Sequence, residues 1–133
     1  MLPPADELAI VEGVPMFAPL SIAAKEHMAA RLVEVPVSAG EVVIRTGEAG
    51  DRFYMVADGA LEVTNGVHAR ARRGDFFGEL ALLRDIPRTA TVIATTRSRL
   101  YALERDDFLA AVTGHSGVRA AGEAVVEQRL RPA

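Results

Sequence analysis

Apolar residues recur in two different rhythms along the chain, and the change from one to the other divides it. Leu20, Ala24, Met28 and Leu32 come every four positions, the spacing that lines one face of an α-helix. Ser21 stands where its hydroxyl can accept from an orphan amide of the first turn, so a helix is expected from there to about Leu32. Ahead of it, residues 5 to 12 predict a short helix, with Asp6 and Glu7 beside the positive end of its dipole. Val14 to Leu20 reads as a hydrophobic connector that docks on the domain.

From about Val33 the texture becomes short strands cut by turns. Seven of the eleven glycines lie between Gly40 and Gly78, mostly seven to nine residues apart. Between them sit Val42-Val43-Ile44, Phe53-Tyr54-Met55-Val56 and Leu61-Glu62-Val63. Regular turn signals between such runs predict an antiparallel β-roll or barrel. Asn65-Gly66 predicts a type I′ hairpin, since both positions tolerate positive φ, and Arg72-Arg73-Gly74-Asp75 a further polar turn. Thr91 to Ala94 and Leu100 to Leu103 supply two more strands.

Helical signals then return. Asp106 or Asp107 is expected to cap a helix carrying Phe108, Leu109 and Val112, with Gly114 and Gly117 breaking it. A last helix is expected from about Val118 to Arg131, with Ala121, Val125 and Leu130 on one side. Gly122 inside it costs about 1 kcal/mol relative to Ala, which points to low local stability.

Composition narrows the class without choosing a function. At 133 residues, half of them apolar and a quarter charged, the chain suits one globular domain. With five Phe, two Tyr and no Trp, the core must rest on Val, Leu, Ile and Ala. A net charge of −3 lacks the basic excess of a nucleic-acid or anionic-lipid binder. No cysteine is present, which removes disulfides and thiolate metal sites. No signal peptide is evident, and the longest nearly apolar segment, Gly13 to Ala24, is short and carries Pro15 and Pro19. A cytoplasmic domain without membrane contact is expected. One lysine against fourteen arginines matches a GC-rich bacterial coding bias, so an arginine is not by itself a functional sign. His27, His68 and His115 are scattered without metal-ligand spacing, so no metal site is expected.

The chemistry concentrates between Phe76 and Val92. Gly78 lets backbone approach a ligand closely, and Glu79-Leu80-Ala81-Leu82-Leu83 predicts one short helical turn. The leading amides of such a turn have no intrahelical partners, and the dipole adds partial positive charge there. That favours a phosphate. Arg88 supplies a planar, permanently charged fork and Thr89 a hydroxyl, while Pro87 turns the chain back. An ordinary surface arginine paired to Glu79 or Asp85 is the bland alternative for Arg88 taken alone. For Glu79 it is a first-turn acidic residue, and for Leu80, Leu82 and Leu83 core.

Phe77-Gly78-Glu79-Leu80-Ala81 followed by Pro87-Arg88-Thr89-Ala90-Thr91-Val92 resembles the phosphate-binding cassette of the cyclic nucleotide-binding domain family, the type of the cyclic AMP receptor protein and the protein kinase A regulatory subunit. Gly47-Glu48-Ala49-Gly50-Asp51 followed by Tyr54 and Gly59 resembles that family's turn signature. The resemblance implies a mainly β fold: an antiparallel, jelly-roll-like β-roll or barrel with N-terminal helices (5–32), the roll (33–104, cassette 76–92) and C-terminal hinge and lid helices (105–131), all in one domain spanning 1–133. It implies cAMP or cGMP as regulatory ligand, held by Phe77, Gly78, Glu79, Leu80, Ala81, Pro87, Arg88, Thr89 and Ala90. Glu79 would accept the ribose 2′-hydroxyl, its charge balanced by a nearby arginine, and Thr89 leaves the choice of base open. The lid of the family often carries an aromatic or polar base-reader. This chain departs from that pattern, offering Val125, Val126 and Arg129.

Binding in the family moves the hinge and lid and so controls a fused or partner effector such as a transporter, channel or enzyme. The short stretch after Glu104 leaves no room for a helix-turn-helix, so no nucleic acid is expected as partner of this chain. Two alternatives stay open. One is a domain of the same fold that has lost its ligand and serves as an interaction or dimerisation surface, a homodimer among its forms. The other is a small metal-dependent β-barrel enzyme, against which the unclustered histidines count; no catalytic residues are expected.

Overall fold

The computed structural model describes residues 5–64, 68–113 and 116–130. Helix α1 (Ala5–Glu12), a single 3-10 turn (Pro15–Phe17) and helix α2 (Ile22–Arg31) precede the strands. Ser21 caps α2, its hydroxyl accepting from the Ala24 amide at 3.1 Å. The connector docks through Val14, Met16, Phe17 and Leu20, all buried.

Eight strands follow: β1 (Val33–Val37), β2 (Val42–Ile44), β3 (Arg52–Asp58), β4 (Ala60–Thr64), β5 (His68–Arg72), β6 (Phe76–Phe77), β7 (Thr91–Ala94) and β8 (Ser98–Glu104). They form two four-stranded antiparallel sheets, ordered β1-β8-β3-β6 and β2-β7-β4-β5. The result is a roll of two facing sheets and not one closed barrel. Asn65-Gly66, between β4 and β5, lies outside the described residues. The Arg72–Asp75 turn closes on itself, the Asp75 amide donating to the Arg72 carbonyl at 2.8 Å and the Arg72 amide to Asp75 Oδ2 at 2.9 Å.

The two central strands of the first sheet are buried on both faces. From β3, Phe53 and Met55 point to a core shared with the helices, while Tyr54 and Val56 point into the roll; β8 divides Tyr101 and Leu103 from Leu100 and Ala102 in the same way. Strand periodicity places neighbours on opposite faces, so each strand serves two cores. The helical core is built around Phe17, Phe53 and Phe108, with Phe53 stacked on Phe108 at 4.7 Å between centroids.

Helix α3 (Glu79–Arg84) interrupts the strands, and α4 (Arg105–Thr113) and α5 (Ser116–Leu130) end the chain. Two boundaries differ from expectation. Asp106 and Asp107 occupy the first turn of α4, not its cap, because the helix already begins at Arg105. Their charge still lies beside the positive end of the dipole. Gly117 lies inside α5, which starts at Ser116, so one glycine fewer separates the two helices. The interior of a helix tolerates glycine at a modest cost when packing compensates. Gly114 and the expected end at Arg131 are outside the described residues. Among the described residues no helix is long and apolar enough to cross a membrane.

Candidate functional site

Strand β6 delivers the chain to the site. Its Phe77 pairs with Tyr54 of β3, and the two rings stack at 5.2 Å and 20° in the roll's interior. Burial raises the Tyr54 hydroxyl's pKa first, with the Asp51 carboxylate adding to the shift. Gly78 follows with φ +99°, a left-handed conformation open to glycine and strained for other residues. A Cβ there would also sit 3.0 Å from the Arg52 carbonyl oxygen and 3.0 Å from an Arg88 guanidinium nitrogen. Gly78 thus caps α3 and lets Arg88 pass close behind it.

Arg88 is 5% exposed, unlike a solvated surface arginine. One terminal nitrogen donates to the Gly78 carbonyl at 2.9 Å, and the other donates to the Arg52 carbonyl at 2.8 Å and lies 3.5 Å from Asp51 Oδ1. A guanidinium has five N–H donors in a fixed plane. Two backbone carbonyls therefore set the orientation of that plane beside Gly78. Desolvation on burial lowers the pKa of Arg88, and Asp51 and Glu79 act against that shift; the group stays charged throughout the physiological range.

The main chain of Arg88 is fixed as firmly. Its amide donates to the Glu48 carbonyl at 2.7 Å, and the Gly47 amide donates to the Arg88 carbonyl at 2.8 Å. Thr46 and Thr91 join hydroxyls at 2.8 Å just beyond. The turn from Thr46 to Asp51 thus grips the segment that carries Arg88. Gly50 lets this turn lie against α3, since a Cβ on it would come within 2.6 Å of the Ala81 Cβ.

The other residues singled out in the sequence are distributed around this centre. Glu79 is fully buried at the start of α3, and Ala81 and Leu82 are buried behind it. Leu80 and Leu83 are half-buried. Pro87 and Thr89 are exposed, flanking Arg88, and Ala90 is half-buried. Of the residues expected in the lid, Val126 is fully buried and Val125 half-buried on α5. Gly122 of the same helix packs near Leu83, Met16 and Val112, so α5 rests on α3, the 3-10 turn and α4. The Arg129 side chain is outside the described residues. Among the described residues no group of His, Cys, Asp or Glu could hold a metal ion.

Sequence reasoning missed the roles of Asp51 and Arg52, which lie 37 and 36 positions from Arg88. The Gly47–Asp51 turn signature was the available signal, but a signature does not say which distant side chain its carbonyls will meet.

Comparison with known proteins agrees with this fold. The family model described as cyclic nucleotide-binding domain matches residues 34–115. The cAMP-dependent protein kinase regulatory subunit of Yarrowia lipolytica is 43% identical over 102 residues, covering 74% of this chain and 27% of the relative. The chain thus spans about a quarter of the length of such relatives. The solved regulatory domain of Toxoplasma gondii PKA with cAMP superposes with a TM-score of 0.81 at 27% identity, covering 91% of this chain and 49% of that one. The sensor domain of the transcriptional regulator DNR from Pseudomonas aeruginosa has the same fold, with a TM-score of 0.78 at 22% identity over 93% of both chains. A β-roll whose buried arginine meets a left-handed glycine at the head of a short helix, and a family match over most of the same residues, place the chain in the cyclic nucleotide-binding domain family.

Proposed function

We propose that the chain is a regulatory module that binds cAMP or cGMP at the Gly78–Arg88 cassette and passes the bound state to its C-terminal helices. The whole span acts as one module: N-terminal helices over 5–32, the roll over 33–104, and hinge and lid helices over 105–131. The leading amides of α3 and the Arg88 guanidinium take the cyclic phosphate, with Phe77, Leu80, Ala81, Pro87 and Ala90 shaping the walls around it. Thr89 presents its hydroxyl beside them. Glu79, an acceptor when ionised, takes the ribose 2′-hydroxyl. After α5 moves from its present packing, Val125 and Val126, with Arg129 beside them, cover the base and discriminate weakly between adenine and guanine.

The single observation that carries the reading is the buried Arg88 guanidinium, pinned beside Gly78 by two carbonyls. An arginine is almost never buried unless it is paired, because desolvating its charge is costly. Its output is movement of α4 and α5, which a ligand drives only through its different affinity for two arrangements. The relatives named as kinase regulatory subunits support a regulatory role beside an effector; a fused or partner enzyme, channel or transporter is that effector here, and no catalysis is assigned to the chain itself.

Calorimetric titration with cAMP, cGMP and 2′-deoxy-cAMP tests the proposal. Both parent nucleotides should bind. The deoxy analogue should bind at least about tenfold more weakly, since a hydrogen bond to a charged group contributes about 1.5–3 kcal/mol. Absence of heat with every ligand, confirmed by an unchanged melting temperature, would falsify the assignment and leave a domain of this fold that serves as an interaction surface.

A further inference from the structure

Arg84 and Asp85, neighbours at the C-terminal end of α3, send opposite charges to two different helices. Arg84 meets Glu123 of α5 at 2.8 Å. Asp85 meets Arg105, the first residue of α4, at 2.8 Å. Asp85 adopts φ +51°, the one positive φ of a non-glycine residue among those described. This is the left-handed cap that ends α3, closed by the Asp85 and Ile86 amides donating to the Ala81 carbonyl, and aspartate is among the few residues that tolerate it.

Arg105 does more than close a surface pair. Its amide donates to the Asp51 carbonyl at 2.9 Å, and its other terminal nitrogen donates to the Gly50 carbonyl at 3.3 Å. Residues 50–52 are the stretch whose Asp51 side chain and Arg52 carbonyl hold Arg88. The head of α4 is therefore tied both to the end of α3 and to the turn behind Arg88. No other residue of α4 has such a pair of anchors among the described residues.

We propose that Arg105 is a positioning residue: it couples the cassette to α4 through Asp85 and Gly50, while Arg84–Glu123 couples the same end of α3 to α5. When the cassette closes on a nucleotide, α3 shifts against the turn at Gly50. The Asp85–Arg105 and Arg84–Glu123 contacts then carry that shift into both C-terminal helices. This rests on the cyclic nucleotide reading of the site and names the side chains that transmit its state. Neither ion pair is buried, so their contribution to folding is small; their value lies in direction, because each joins elements far apart in sequence.

The test is hydrogen–deuterium exchange of the chain with and without cAMP, alongside calorimetry, for wild type, Asp85→Asn, Arg105→Gln, the double variant and Arg105→Lys. Asparagine keeps the left-handed backbone tolerable, so Asp85→Asn isolates the charge. In wild type, cAMP should change protection in residues 78–90 and in α4 and α5. Asp85→Asn and Arg105→Gln should bind cAMP within about fivefold of wild type, as expected for an exposed pair. They should keep the response of residues 78–90 and lose at least about half of the response in α4 and α5. The double variant should be no worse than either single one, as for two ends of one contact, and Arg105→Lys should restore part of the response. Variants that bind cAMP and transmit as fully as wild type overturn the coupling while leaving the site intact. If wild type binds no cyclic nucleotide, both the site reading and the coupling fail.

Discussion

Arg88→Ala has two consequences that the structure separates. On the ligand side it deletes the guanidinium buried at the head of α3. Hydrogen bonds to a charged group contribute about 1.5–3 kcal/mol each, so binding should weaken by roughly tenfold to several hundredfold. On the folding side it removes the donors that serve the Gly78 and Arg52 carbonyls at 2.9 and 2.8 Å. Leaving buried acceptors without partners costs about 1–3 kcal/mol each, but the missing side chain opens room for water, and the desolvation of the charge is relieved at the same time. A net loss of about 1–3 kcal/mol corresponds to a fall in Tm of roughly 3–15 °C for a domain of this size. Burial of Arg88 thus makes the variant a test of the fold as well as of binding. Calorimetry and thermal unfolding should be run on the same samples, with Arg88→Lys for comparison. Lysine keeps the charge but cannot span both carbonyls and a ligand at once, so it should fall between wild type and alanine in both assays. An alanine variant that titrates like wild type refutes the binding role, and one that melts like wild type refutes the brace.

Three further outcomes are expected. Gly50→Ala places a Cβ 2.6 Å from that of Ala81, and such overpacking costs about 1–3 kcal/mol; thermal scans should show a lower Tm, and an unchanged one would mean that the turn yields freely. Gly122→Ala should do the opposite, because the added methyl lies at 3.5 Å from Leu83 and Met16 atoms, in ordinary contact. Relief of the glycine's helical cost predicts about 0.5–1 kcal/mol of added stability in denaturant titration, and a loss instead would contradict the packing of α5 on α3. The Tyr101 hydroxyl is pushed up to about 12, by burial first and then by its hydrogen bond to Glu7. Raised above the unfolded value of about 10, it supplies stability that is complete below pH ~10 and is lost as pH rises to ~12. Stability curves from pH 9 to 12 should show that slope in wild type and a shallower one in Tyr101→Phe.

Local chemistry made much of the fold legible. Ser21 and the four-residue spacing from Leu20 to Leu32 identified α2 because caps and helical stripes depend on near neighbours. Glycine spacing announced the roll for the same reason, and Gly78 the bend. The strand runs did not reveal that β3 and β8 are buried on both faces, since four apolar residues in a row fit several environments. The start of α4 was misplaced by two or three positions because Glu104 already ends the strand and Arg105 is drawn into the helix by Gly50, Asp51 and Asp85. Those partners lie 55, 54 and 20 residues away, beyond the reach of any local pattern. The same holds for the carbonyl of Arg52 behind Arg88. Type and spacing suggested an anion-binding arginine; only the folded chain shows what holds it still.

Four consecutive residues at the entrance to β3 face three different neighbours. Asp51 approaches Arg88 by its carboxylate and Arg52 by its carbonyl, Phe53 stacks on Phe108 of α4, and Tyr54 stacks on Phe77. Adding or deleting one residue here would turn every later side chain of β3 to the wrong side of its sheet. Natural relatives that vary in length should therefore do so at the far rim of the roll, and this tetrapeptide should keep its spacing even where its chemistry drifts.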